Sequence, residues 1–187
     1  MSQTTALAEI RLITGEELLA MGDIGPCELI DGRIVPMTPT GAEHGSVEIN
    51  LSSELAVYVR RHGIGWVLGG EVGIYTRRDP DRIRGADIAF ISRERAPDGP
   101  PKGFLDVAPE LIVEIISPGD RWQDMRLKIQ EYFTIGVQQV WVVEPENRSV
   151  LVYRSAAEVR TLLESDVLVA EGLLEGFSLP VATIFAR

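Results

Sequence analysis

One strand constrains this chain more than any other feature: Pro109-Glu110-Leu111-Ile112-Val113-Glu114-Ile115-Ile116-Ser117-Pro118-Gly119-Asp120-Arg121. Leu111 to Ile116 is a short apolar run rich in β-branched residues. Pro109 precedes it and Pro118-Gly119 closes it. Such a run predicts a central strand buried on both faces. Glu114 interrupts it with a carboxylate. A buried unpaired charge is costly, so Glu114 must meet a cation, a metal or a proton. Two readings compete: a structural ion pair or a strand-end residue reaching water, and a metal ligand. The second needs another carboxylate and a cation nearby.

The chain has 187 residues, enough for one domain with a sizeable core. Its 45% hydrophobic and 25% charged content is that of an ordinary soluble globule. No apolar run approaches a membrane span. The opening Met1-Ser2-Gln3-Thr4-Thr5 has no basic region followed by an apolar core, so no secretory signal is expected. The lone Cys27 excludes an intramolecular disulfide and any four-cysteine zinc site. The cytoplasm is the expected compartment. The net charge of −10 argues against a bulk electrostatic grip on nucleic acid. It does not argue against a nuclease, because carboxylates that hold metal add negative charge.

Thr14-Gly15-Glu16-Glu17 has the spacing of a capping box and predicts a short helix ended by Gly22. Cys27 to Met37 reads as a hairpin about the Asp31-Gly32 turn. From His44 to His62, Val47, Leu51, Leu55 and Val59 recur at helical spacing, and Gly63 follows. Trp66–Leu68 and Val72–Tyr75 read as two strands separated by Gly69-Gly70-Glu71. Residues 77–84 read as a polar loop, residues 86–91 as a strand, and residues 93–108 as a long loop rich in Pro and Gly. After the 110–117 strand, a helix runs from Asp120 to about Ile135 and stops at Gly136. Val140–Val143 and Ser149–Tyr153 form a hairpin pair, and residues 158–172 suggest short strands. Residues 179–185 end the chain as a strand or a helix. The order predicts an α/β or α+β fold with a mixed sheet.

Asp87 lies on one strand and Glu114 on another. If those strands pair, both carboxylates can converge on one divalent ion. An oxygen-rich site suits Mg²⁺ or Mn²⁺, with the Ile115 carbonyl completing the protein's share. Lys128, on the following helix, is the candidate cation. It can aim at Glu114 or sit exposed beside Asp124 four residues earlier.

These pieces resemble the Uma2 family of the PD-(D/E)XK restriction-endonuclease-like superfamily. The matching stretches are Glu28-Leu29-Ile30-Asp31-Gly32, His44 opening a helix, Ala86-Asp87-Ile88-Ala89, Pro109 to Pro118, Asp120-Arg121, Lys128 to Tyr132, Gly136-Val137, Val140 to Val143 and Pro145. They span about residues 15–155 of a single 1–187 domain. The resemblance implies a nuclease-like mixed sheet flanked by helices. It also implies Asp87 and Glu114 as the two motif carboxylates, Lys128 as the catalytic cation, and Glu28 and His44 as auxiliary groups. The sequence departs from the superfamily pattern twice. Ala86 replaces the usual Pro, and Ile116 stands where a Lys normally follows the Glu, leaving Lys128 as a migrated substitute.

The expected activity is metal-dependent endonucleolytic hydrolysis of DNA, by a homodimer. The alternatives are a noncatalytic nuclease-fold module, and a hydrolase of RNA or a nucleotide.

Overall fold

The computed structural model describes residues 11–186. The first ten residues, where the absence of a secretory signal was read, lie outside the described residues, as does Arg187. The capping box forms as expected. Thr14 Oγ1 accepts from Glu17 N–H and the Glu17 side chain answers Thr14 N–H, opening α1 (Gly15–Ala20). β1 (Cys27–Ile30) and β2 (Arg33–Pro36) close on Asp31 and Gly32, whose φ values of 54° and 72° are those of a type I′ hairpin turn. α2 (Ala42–His62) stops at Gly63 in the left-handed region, φ 63°.

The stretch from Gly65 to Arg77 is one continuous strand, β3, and not the two strands expected from the sequence. Gly69-Gly70-Glu71 is a bulge within it: the register against β4 (Arg82–Ser92) shifts between Gly69 and Val72. Glycines mark bulges as well as turns. What decides between them here is that β4 continues on the far side of the irregularity. The expected polar loop at 77–84 is also shorter, because Arg82 and Arg84 already belong to β4.

β5 (Leu111–Ile115) is buried along its whole length, as its apolar composition requires. α3 (Trp122–Thr134) carries the chain to β6 (Gln139–Glu144), parallel to β5. β7 (Ser149–Tyr153) and β8 (Val159–Leu163) extend the sheet antiparallel. β9 (Val167–Ala170) and β10 (Leu174–Pro180) form a separate ribbon, followed by α4 (Val181–Ile184). The end of the chain is therefore both strand and helix.

The large sheet runs β2-β1-β4-β5-β6-β7-β8, with β3 on the other edge of β4. One face carries Ile88, Phe90, Val113 and Trp141 against Val47, Leu51, Leu55 and Val59 of α2. The other carries Ala89, Ile112, Val140 and Val142 against Met125, Ile129 and Tyr132 of α3. The sheet is thus sandwiched between two amphipathic helices.

One detail of this topology positions the site. β3 takes one edge of β4 along nearly its full length. The other edge is shared: β1 pairs only at Leu29–Ile83, and β5 begins only at Val113–Ile88. Between them the ladder forks, and Arg84 to Asp87 have no strand partner on that side. Their backbone groups and side chains must be satisfied otherwise.

Candidate active site

Side chains fill the fork. Gly85 N–H donates to Glu28 Oε1 at 3.1 Å, and Gly85 O accepts from Lys128 Nζ at 2.8 Å. Asp87 is the last residue before the β4–β5 ladder. Carrying the register one step beyond Ile88–Val113 sets Asp87 opposite Glu114. Both are 4% exposed. Asp87 Oδ2 accepts the Ile115 N–H at 2.6 Å, and its Oδ1 lies 3.3 Å from His44 Nε2 in the first turn of α2.

Lys128 reaches this point from α3. Its Nζ donates to Glu114 Oε2 at 2.8 Å and stands 3.5 Å from Glu28 Oε1. It is not the exposed partner of Asp124. Tyr132, one helical turn later, donates its hydroxyl to Glu114 Oε1 at 2.6 Å. The helix therefore supplies two donors from one face, and they hold both oxygens of the strand carboxylate.

Of the residues singled out from sequence, Asp87, Glu114, Ile115, Lys128, Glu28 and His44 come together. Arg121 and Gln130 are exposed and make no contact here. Tyr132 and several charged residues join the group. Arg84 donates to Glu28 Oε2 at 2.8 Å and forks onto Glu131 at 2.7 and 3.1 Å. Arg82 bridges Glu131 to Asp31, which also takes Arg77. Charges of alternating sign thus run from the hairpin turn to Lys128. Glu71 joins from the bulge in β3. The residue is exposed overall, but the bulge gives it φ 60° and turns its carboxyl inward. A Cβ on Gly85 would stand 2.6 Å from Glu71 Oε2. The spacing of Tyr132 four residues after Lys128 was a usable sequence signal; Glu71, Arg84 and Glu131 had none.

The electrostatics follow from crowding carboxylates out of water. Burial pushes the Glu114 carboxyl up to about 7, Lys128 pulls it down, and the Asp87 charge raises it again. Burial works against the Lys128 ammonium, but Glu114 and Glu28 outweigh it and hold Lys128 charged. Burial disfavours a charged His44; Asp87, Glu48 and Glu71 overcome this and raise its pKa. Glu71 is raised by burial and by Asp87.

Glu114, Glu71 and His44 thus hold protons more tightly folded than unfolded. The metal-free protein should lose stability as pH rises from about 5 through 7, since each raised group stabilises most below its unfolded pKa. Glu16, Glu131 and Glu164, whose pKa values are lowered, finish ionising below about pH 5 and do not offset this. Melting in EDTA at pH 6 and pH 8 checks the sign: the midpoint should be lower at pH 8. A higher midpoint at pH 8 would contradict this account of the site.

The donor set bears on a metal. Among the described residues, no three His, Cys, Asp or Glu side chains converge as a complete metal-binding group. Mg²⁺ and Mn²⁺ do not need one, since such ions commonly take one or two carboxylates and keep several waters. Asp87 and Glu114 offer two carboxylates. Ile115 turns its N–H to Asp87, and a strand residue's carbonyl leaves on the same edge as its N–H. Burial and, after it, the Asp87 charge raise Glu114 and Glu71, and a divalent cation would offset both. The residues fit such an ion in kind.

The chain folds as a mixed sheet flanked by helices, with Asp87 and Glu114 opposed on neighbouring strands. Its architecture is shared with a solved structure described as "a putative nuclease belonging to DUF820" from Anabaena variabilis, at TM-score 0.77 and 20% identity. That likeness covers 92% of this chain and 97% of the other. Residues 16–182 match the model of the Uma2 family, described as "Putative restriction endonuclease", and the chain belongs to that family. No curated protein matches the sequence. No helix among the described residues is long and apolar enough to cross a membrane.

Proposed function

We propose that this protein is a Mg²⁺- or Mn²⁺-dependent endonuclease that hydrolyses DNA phosphodiesters at Asp87, Glu114 and Lys128. The observation that carries this reading is the placement of Lys128 Nζ 2.8 Å from Glu114 Oε2, with Asp87 opposite Glu114 across the ladder. An ion held by Asp87, Glu114 and the Ile115 carbonyl would polarise the scissile phosphate and lower the pKa of a bound water. Lys128, kept charged by its carboxylate neighbours, supplies fixed positive charge where a phosphorane would gain negative charge. By the family resemblance it stands in for the strand lysine that Ile116 replaces, its long stem carrying the ammonium in from the helix. Tyr132 and Lys128 fix the Glu114 rotamer, and Arg84 and Glu28 steady Lys128 from the other side. His44, with its raised pKa and its Nε2 on Asp87, can carry a proton near neutral pH.

Nicking of supercoiled plasmid in Mn²⁺ or Mg²⁺ tests the proposal. Cleavage is expected from the native protein, none in EDTA, and none from Asp87→Asn. A second reading draws on the net charge of −10: a nuclease fold kept as a noncatalytic module. Absence of cleavage on duplex DNA, single-stranded DNA and RNA, in either metal, would favour it.

A further inference from the structure

A cavity of about 390 Å³ opens at the carboxyl ends of the parallel pair β5 and β6. Open α/β sheets commonly bind ligands at such ends. Both sandwiching helices begin here. Ala42 in the first turn of α2 and Trp122 at the start of α3 line the cavity, and neither helix has a side-chain cap: Gly41 and Arg121 make no capping bond. The opening N–H groups of two long helices are thus left as donors.

The opposite wall, at the β6–β7 turn, supplies acceptors in Glu144 and Glu146. Glu144 is held in place by Ser149 Oγ at 2.9 Å. Trp122, Pro118 and Pro145 add flat apolar surface.

His44 joins this cavity to the cleavage site. It lines the cavity and is only 6% exposed. Its Nε2 is spent on Asp87, and its Nδ1 is the one buried side-chain nitrogen or oxygen without a hydrogen-bond partner among the described residues. Buried polar atoms normally have a partner, so this unpartnered nitrogen marks the wall beside the cavity as incompletely satisfied.

The lining decides the ligand's chemistry. Four acidic residues and no Lys or Arg line the cavity, which disfavours a free anion despite the two helix starts. What fits is planar and uncharged, with donors for the carboxylates and acceptors for the backbone N–H groups. The volume sits at the low end of small-ligand pockets, roughly 300–1,000 Å³, enough for one nucleoside rather than a stacked pair.

We infer that this cavity receives a single unstacked nucleobase beside the scissile phosphate. Its choice of ligand rests on the nuclease reading. Amino-bearing bases satisfy Glu144 and Glu146, as cytosine's amino group satisfies acidic side chains elsewhere. Trp122 offers the stacking face.

Ligand-observed NMR on the metal-free whole chain tests it, with adenosine, cytidine, thymidine and inorganic phosphate as probes. Adenosine and cytidine should bind more tightly than thymidine, and phosphate should not compete. Ala42→Trp, which fills the cavity, should weaken nucleoside binding at least about tenfold; Trp122→Ala should do so about fivefold or more, the loss of one stacking contact. Nucleosides that fail to bind, bind equally to both folded variants, or are displaced by phosphate would overturn the inference. Binding needs no turnover, so the two readings fail separately. Plasmid cleavage without nucleoside binding removes the pocket and leaves the hydrolase. Nucleoside binding without cleavage does the reverse.

Discussion

Glu114→Gln should abolish DNA cleavage, by at least about a thousandfold, while leaving the fold in place. The substitution keeps shape and removes only charge. The amide oxygen can still accept from Lys128, which also retains Gly85 O and Glu28 as partners. The amide nitrogen then faces Tyr132, whose hydroxyl can turn to Gly85 O, now 3.4 Å away. Glu114 is costly to ionise where it stands, because burial pushes it up to about 7. Replacing it with a neutral isostere at pH 8 therefore changes stability by no more than about 1–3 kcal/mol. Plasmid nicking and thermal melting on one preparation read both effects. A variant that melts like the native protein and still cuts would remove Glu114 from the chemistry.

Lys128→Met should damage both stability and cleavage, and metal should repair only the first. The substitution leaves Glu114 and Glu28 facing each other without the ammonium between them. Breaking a buried ion pair by removing one partner costs about 3–5 kcal/mol. For a chain of this size each kcal/mol lowers the melting point by about 2–4 °C, so a fall on the order of 10 °C is expected at pH 8. Mn²⁺ at the same carboxylates should recover much of that fall, since it replaces the missing positive charge. Cleavage should remain about a hundredfold or more below native even with saturating metal, because the fixed charge beside the phosphate is gone. Full recovery of cleavage by Mn²⁺ would make Lys128 a structural counter-ion alone.

Much of this site was visible in the sequence, for identifiable reasons. Glu114 announces itself because a carboxylate inside an all-apolar strand has no local explanation. Asp31-Gly32 fixes its hairpin because two positive φ values in succession admit few residue pairs. Lys128 was legible only through resemblance: its local setting, four residues after Asp124, suggests a surface pair, and only the packing of α3 on the sheet sends it inward. Glu71 was not legible at all. Gly69-Gly70-Glu71 has the composition of a turn, and its identity as a bulge depends on β4 pairing on both sides of it. Arg84 and Glu131 read as ordinary surface charges, because their partners lie 56 and 47 positions away in the chain. The fork in the sheet, where β1 and β5 divide one edge of β4, is a property of topology and leaves no trace in any single segment.

Calorimetric titration of Mn²⁺ into the whole chain at pH 8, set beside the same titration of Asp87→Asn, measures most directly whether the two opposed carboxylates serve one ion. One ion per chain in the native protein, lost or weakened at least about tenfold in the variant, is the expected result. No binding at millimolar Mn²⁺, or identical isotherms for the two proteins, would contradict it.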